Sequence, residues 1–159
     1  MSLTISAAQV ASFIANPSSF SGYSASGPII ITGAISHTQA SSLNAVDATY
    51  IQATISETTA TNLAAISVDN STRASLNRFS VVVSDTTATA AELNAVSAIT
   101  SVAADFTNIT GVEASSSADI TTLYTGTGTG LGAETISVND TTLDAATLNT
   151  INGYTTELV

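Results

Sequence analysis

The chain lacks cysteine and tryptophan, and it contains only two basic residues, Arg73 and Arg78. Without cysteine it can form neither a disulfide nor a thiolate metal site. Two cations are too few to neutralise a phosphate backbone, so the composition argues against nucleic-acid binding. The same shortage disfavours docking on anionic lipid.

Long hydrophobic runs are also missing. No stretch reaches the roughly 18 apolar residues of a transmembrane helix, so we expect no membrane insertion. The residues Met1 to Thr4 show neither the basic region nor the apolar core of a secretion signal. If the protein is exported, we expect the signal to lie elsewhere or the chain to be a fragment.

What remains is a moderately hydrophobic, acidic sequence. Hydrophobic residues make up 44% and charged residues only 9%, against a usual charged share of about 25%. The mean hydropathy is +0.37, which predicts a folded chain, because disordered chains combine low hydrophobicity with high charge. Twelve acidic residues give a net charge of −10, so divalent cations are the partners that this charge favours.

The sequence repeats itself. Three stretches align and share a Leu-Asn-x-Val/Ile ending, at residues 43–46, 93–96 and 148–151. Short β-branched runs recur along the chain and predict strands. These predicted strands are residues 3–5, 29–35, 51–55, 80–83, 109–112 and 136–138.

A hydroxyl residue follows each predicted strand, with a side chain able to accept hydrogen bonds three positions later. This is the spacing of a helix capping box, and apolar residues at helical spacing come next. The pairs are Ser6/Gln9, Ser36/Gln39, Thr59/Asn62, Thr89/Glu92, Ser116/Asp119 and Thr141/Asp144. They are 23 to 30 residues apart, within the range of solenoid repeats.

We therefore predict an α/β fold, an irregular β/α solenoid-like repeat of short strands and short capped helices. Residues 1–159 would form one repeat domain of about six units, which could be part of a longer chain. An all-β sandwich or a parallel β-helix is the alternative, because Ser and Thr runs also suit strands and turns. A weaker extra unit could span residues 66–76.

Candidates for catalysis are few. The single histidine, His37, lies in a predicted first helical turn without the oriented partners of a catalytic triad, and we interpret it as a surface residue. The acidic residues fall at helix caps and turns, where structure alone favours them. The glycine-rich run 126–132 lacks the lysine of a phosphate loop and is interpreted as a linker. We assign no catalytic or cofactor-binding residue and predict that the protein is not an enzyme.

Calcium is the ligand that the remaining oxygen donors would suit. Asp69, Asp85 and Asp140 occupy corresponding turns after predicted strands, and we name them as candidate calcium ligands. The other interpretation is that they are ordinary turn residues. The sequence contains no EF-hand loop, and no cofactor is required by any motif.

The near-identical segments 84–94 and 137–149 resemble repeats of large secreted bacterial surface proteins of the adhesin, surface-layer or fibre type, in the style of type I secretion substrates. The resemblance implies a non-catalytic structural protein, secreted or on the cell surface, that self-associates or contacts neighbouring repeats of a longer chain. The alternative is a calcium- or glycan-binding extracellular module. Only eight Tyr and Phe residues are present, which weakens the glycan version because sugar sites favour aromatic platforms.

Overall fold

The structure is a computed structural model, and it describes residues 1–46, 48–67 and 76–159. Strands and helices alternate along this part of the chain, which confirms the predicted mixed α/β class and not the all-β alternative. The strands are β1 Leu3–Ser6, β2 Ile29–Ile35, β3 Ile51–Ile55, β4 Arg78–Ser80, β5 Thr87–Thr89, β6 Gly111–Ser115 and β7 Thr135–Val138. The helices are α1 Val10–Ala15, α2 His37–Leu43, α3 Ala60–Ala64, α4 Ala90–Ala98, α5 Ser117–Thr125 and α6 Ala145–Asn152.

The strands form two parallel sheets in which strand order follows chain order. One sheet has the order β1-β2-β3-β4 and the other β5-β6-β7. In the second sheet Thr87 pairs with Gly111 and Gly111 with Thr135, an offset of 24 residues at each step. Each parallel pair needs a crossover, which a helix supplies.

Contacts divide the chain into two compact units. The first comprises residues 1–57, 65–81 and 98–102, and the second comprises residues 58–64, 82–97 and 103–159. In the first unit, equivalent residues of neighbouring strands stack inward. Leu3, Ile29 and Ile51 form one buried row, and the alternating burial of β3 follows from the two-residue period of a strand.

The second unit repeats this arrangement with smaller residues. Ala88, Val112 and Ile136 are aligned across β5, β6 and β7 and are buried. A second set of parallel bridges joins Val82 to Asp105 and Asp105 to Thr129. Within each sheet, registered rows of buried side chains therefore connect neighbouring strands.

Most predicted strands lie where the sequence placed them. β2 and β3 have the predicted bounds, whereas β4 lies two residues before its predicted start and β6 two residues after. β5 was missed: the sequence predicts a helix cap at Thr89 and no strand at Thr87–Thr89. The weaker repeat at 66–76 falls largely on residues 68–75, which lie outside the described residues.

The predicted caps are correct at most helix starts. Ser36 and Gln39 form a complete capping box, with Ser36 Oγ accepting from the Gln39 N–H at 3.1 Å and Gln39 Oε1 accepting from the Ser36 N–H at 3.0 Å. The prediction for α6 is wrong by one turn. Asp144, not Thr141, is the N-cap, and its carboxylate accepts from the Thr147 N–H at 2.7 Å.

No helix in the described part of the chain is both long enough and apolar enough to cross a membrane.

Candidate functional site

Two of the three predicted calcium ligands are used to cap helices. Asp85 Oδ2 accepts a hydrogen bond from the N–H of Ala60, the first residue of α3, at 2.6 Å. Asp140 Oδ2 accepts from the N–H of Ser117, the first residue of α5, at the same distance. The two carboxylates thus make the same kind of contact at different helices. Asp69 lies outside the described residues.

The same contact occurs at two further helices. Glu57 Oε2 accepts from the N–H of His37 at 2.7 Å at the start of α2, and Ser115 Oγ accepts from the N–H of Ala90 at 2.9 Å at the start of α4. In all four cases the acceptor comes 20 to 25 residues after the helix start. The first N–H groups of a helix lack partners within the helix and carry the positive end of its dipole, so a later carboxylate or hydroxyl stabilises them.

The capping contact changes the acidity of Glu57. Desolvation by burial raises the pKa of its carboxyl, but the hydrogen bonds from the His37 backbone, its own backbone and the Ser56 hydroxyl outweigh that effect. The pKa of Glu57 therefore lies below its ordinary value of 4.5. The ionised form is the one that the fold stabilises.

His37 is less exposed than the sequence suggested. Its imidazole Nδ1 is buried without a hydrogen-bond partner, 3.5 Å from Glu57 Oε1. Since its backbone N–H is bonded to the other oxygen of the same carboxylate, the ring is held against the capping side chain. This is a packing arrangement and not a base oriented toward a nucleophile.

A small polar groove of about 210 Å³ in the second compact unit contains Asp85, Glu92 and Glu113. Each carboxylate already accepts hydrogen bonds from the chain. Thr61 Oγ1 donates to Glu92 at 3.0 Å and Thr87 Oγ1 to Glu113 at 2.7 Å. Across the described ranges, no group of three or more His, Cys, Asp or Glu side chains is arranged to hold a metal ion. Calcium binding stays a prediction.

The asparagine of the repeated Leu-Asn motif has a structural role that the sequence did not reveal. Asn44 Nδ2 donates to the Ser67 carbonyl, and Asn94 Nδ2 donates to the Asp119 carbonyl at 2.9 Å. These acceptors come 23 and 25 residues later. The recurrence of the motif could have indicated this role, because an asparagine that recurs beside a buried Leu needs a hydrogen-bond partner there.

A second buried asparagine, Asn77, was also missed. Its Oδ1 accepts from the Ile51 N–H at 2.9 Å, and its Nδ2 donates to Asn44 Oδ1 at 2.8 Å. Both asparagines are less than a tenth exposed. Nothing in the local sequence around Asn77 marks this role, because its partners are distant along the chain.

The predicted linker at 126–132 is held in place. Phe106 N–H donates to the Thr129 carbonyl at 2.8 Å, and a Cβ added at Gly128 would lie 2.4 Å from the Phe106 ring. The buried Glu134 carboxylate accepts from the Gly132 N–H, the Ala133 N–H and the Tyr124 hydroxyl. Burial first, and then the bond to Glu134 and its negative charge, raise the pKa of Tyr124 well above 10.0.

A groove of about 420 Å³ lies in the first compact unit, lined by Gln52, Thr54, Arg78 and Ser80 among others. The Arg78 guanidinium stacks over the Tyr50 ring at 4.2 Å. The groove offers hydroxyl, amide and guanidinium groups but no nucleophile–base pair among its lining residues. Ile31, Ala53 and Val102 complete the lining, so the groove is partly polar and partly apolar.

The contacts that recur are therefore those between successive strand–helix segments, through the first N–H of four helices, α2 to α5, and through Asn44 and Asn94 of the motif. No protein-family model matches this chain, and no curated protein or solved structure is significantly similar to it.

Proposed function

We propose that this chain is a non-catalytic structural protein of the bacterial cell exterior, a component of a surface layer, filament or adhesin stalk. Its strand–helix segments would stack as an irregular β/α solenoid. The observation that carries the proposal is the repeated bond from the first N–H of a helix to a side chain 20 to 25 residues later. In a solenoid each repeat contacts its neighbours, and stability comes from those interfaces.

Two further features support stacking. Strand order follows chain order in both sheets, and the offset in the second sheet is 24 residues across β5 and β6 and at the start of the β6–β7 pairing. The side-chain bonds of Asn44 and Asn94 span nearly the same distance along the chain. Backbone pairing, helix capping and side-chain bonding thus all join residues 20 to 26 positions apart.

The non-catalytic part is supported by how the titratable groups are used. Asp85, Asp140 and Glu57 cap helices, and Glu134 anchors a loop. A carboxylate that accepts such hydrogen bonds stabilises the fold much less when it is protonated or moved. A catalytic carboxylate, in contrast, needs a substrate within reach.

The exterior location is supported by composition and resemblance. An acidic chain with twelve Asp and Glu and two Arg suits an exposed surface that must stay soluble. The experiment is immunogold labelling of intact and permeabilised bacteria that express the protein. We expect label on intact cells; label only after permeabilisation would overturn the exterior location.

A further inference from the structure

The groove of about 420 Å³ in the first compact unit lies at a bulge in the sheet. In β2 the pairing with β3 shifts between Ile30 and Ala34. Residues 31–33 therefore have Ala53 alone opposite them, and a bulge of this kind bends its strand. Ile31 in the bulge and Ala53 beside it both line the groove. The sheet thus forms a concavity there, of a volume that suits a small ligand.

Four outward side chains of β3 and β4 form the polar part of the groove. Gln52 is paired with Arg78, and Thr54 is paired with Ser80. Because residues two apart on a strand share a face, the four side chains form one cluster. All four are exposed, and within the described part of the chain none of these side chains makes a hydrogen bond. Their donors and acceptors are therefore available to a ligand.

Arg78 supplies the positive charge of the cluster. Its guanidinium lies over the Tyr50 ring at 4.2 Å, a contact that restricts the long side chain. Across the described ranges the one ion pair joins His37 to Glu57, so no carboxylate of the chain neutralises Arg78. A guanidinium binds a carboxylate through two parallel hydrogen bonds, and a side chain already held in place loses less entropy on binding. The partner that suits Arg78 is a carboxylate from another molecule.

The charge around the groove allows an anion to approach. None of the residues that line it is acidic. Among the described residues of the first unit Glu57 is the only acidic one, and it caps α2. The polar groove of the second unit, in contrast, contains Asp85, Glu92 and Glu113. Since the net charge of −10 repels anions from most of the protein, an acidic ligand binds best where carboxylates are fewest.

We propose that this groove binds a glycan through one uronate residue, whose carboxylate pairs with Arg78. Gln52, Thr54 and Ser80 bind the sugar hydroxyls, which donate and accept hydrogen bonds as these side chains do. A neutral glycan binds poorly, because no aromatic side chain lines the groove to stack on a sugar ring. This binding goes beyond the structural role proposed above and does not depend on it.

An acidic peptide fits the groove less well than such a glycan. Peptides commonly bind a sheet by adding a strand to its edge, but β3 lies between β2 and β4 and its backbone is already paired. An acidic peptide also carries several carboxylates, of which one guanidinium can neutralise only one. A glycan in which uronate alternates with a neutral sugar brings one carboxylate to Arg78 and hydroxyls to the residues beside it.

The test is isothermal titration calorimetry with a hyaluronan tetrasaccharide, in which glucuronate alternates with N-acetylglucosamine. The neutral tetramer of N-acetylglucosamine and tetraglutamate are the comparison probes. We expect saturable binding of the hyaluronan probe that weakens with added salt, and binding of the other two that is weaker by about tenfold or more. Tetraglutamate binding as tightly would mean an acidic-peptide site and overturn the glycan. Equal binding of the neutral tetramer, or no saturable binding of the hyaluronan probe at millimolar concentration, would overturn the proposal as well.

Variants test whether the groove is the site. Arg78→Ala should weaken binding of the hyaluronan probe about tenfold or more, and Arg78→Lys should weaken it less, because lysine keeps the charge without the planar fork. Ser80→Ala should weaken it several-fold, whereas Ser137→Ala, at an exposed hydroxyl of β7, should leave it unchanged. Circular dichroism checks that each variant folds. Parent-like binding by Arg78→Ala, or equal effects of the two serine variants, would exclude the groove. Surface labelling of cells is unaffected by these outcomes, so the two proposals can fail separately.

Discussion

Asp85 accepts a hydrogen bond at 2.6 Å from the backbone N–H of Ala60, 25 residues earlier in the chain. The bond joins the turn after one strand to the start of the preceding helix. It has counterparts at α2, α4 and α5, so its contribution to stability can be measured and compared.

Replacing Asp85 should destabilise the protein. Asp85→Ala leaves the Ala60 N–H without its acceptor, and we expect a loss of about 1–2 kcal/mol in the free energy of unfolding. Urea unfolding followed by circular dichroism measures it. Glu157→Gln removes a charge at an exposed residue and should change stability by less than about 0.5 kcal/mol. Equal losses in the two variants would mean that net charge and not the helix cap accounts for the effect.

Acid should destabilise the fold through its bonded carboxyls. Hydrogen bonds from Thr89 lower the pKa of Glu92 below 4.5, and the pKa of Glu57 is lowered as well. A carboxyl with a depressed folded pKa contributes stability above its unfolded pKa and loses it as the pH falls through the folded pKa. We therefore expect Tm to be steady above about pH 5 and to fall below pH 4.5.

The variant Glu92→Gln tests how much of this dependence of Tm on pH comes from Glu92. An amide can still accept from the Thr89 N–H but does not titrate, so Tm should depend less on pH below 4.5 than in the parent protein. Glu157→Gln serves as the matched control. Identical slopes in Glu92→Gln and the parent would exclude Glu92 as a source of the acid sensitivity.

The sequence predicted local features well and distant ones poorly. The caps at Ser6, Ser36, Thr89 and Ser116 depend on residues three positions apart, which the sequence displays directly. The bonds from Ala60 to Asp85 and from Ile51 to Asn77 join residues 25 and 26 positions apart. No short motif contains both partners of such a bond.

The start of α6, one turn later than predicted, shows a further limit of prediction from sequence. Thr141 and Asp144 have the spacing of a capping box, but Asp144 itself is a strong N-cap residue, and the helix begins after it. Alignment of the Leu-Asn motifs places Asp144 opposite Thr89 and would have given the correct start. Repeat alignment was thus a better guide here than the local capping pattern.

Glycine at position 128 should be required by packing. A Cβ there would lie 2.4 Å from Phe106 Cε2, and Phe106 is fully buried. We expect Gly128→Ala to cost about 1–3 kcal/mol, the usual price of overpacking a core. Gly153→Ala is the comparison: its Cβ would meet the Thr150 carbonyl oxygen at 3.2 Å, a tight contact but far less severe than that at Gly128, so we expect a smaller loss. Unchanged thermal stability of Gly128→Ala would show that the loop does not need to approach the ring so closely.

The 24-residue offset predicts that one whole segment can be removed. Deleting residues 111–134 removes β6 and α5 and brings Thr135 to the place of Gly111, so that β5 can pair with β7 in the same register. Each segment contacts its neighbours, so the shortened chain should still unfold cooperatively, at a lower Tm because one interface is lost. Deleting only residues 111–122 breaks the register and should abolish cooperative unfolding. Calorimetry distinguishes the outcomes: if both deletions unfold the protein, β7 cannot take the place of β6 beside β5, and the stacked architecture is wrong.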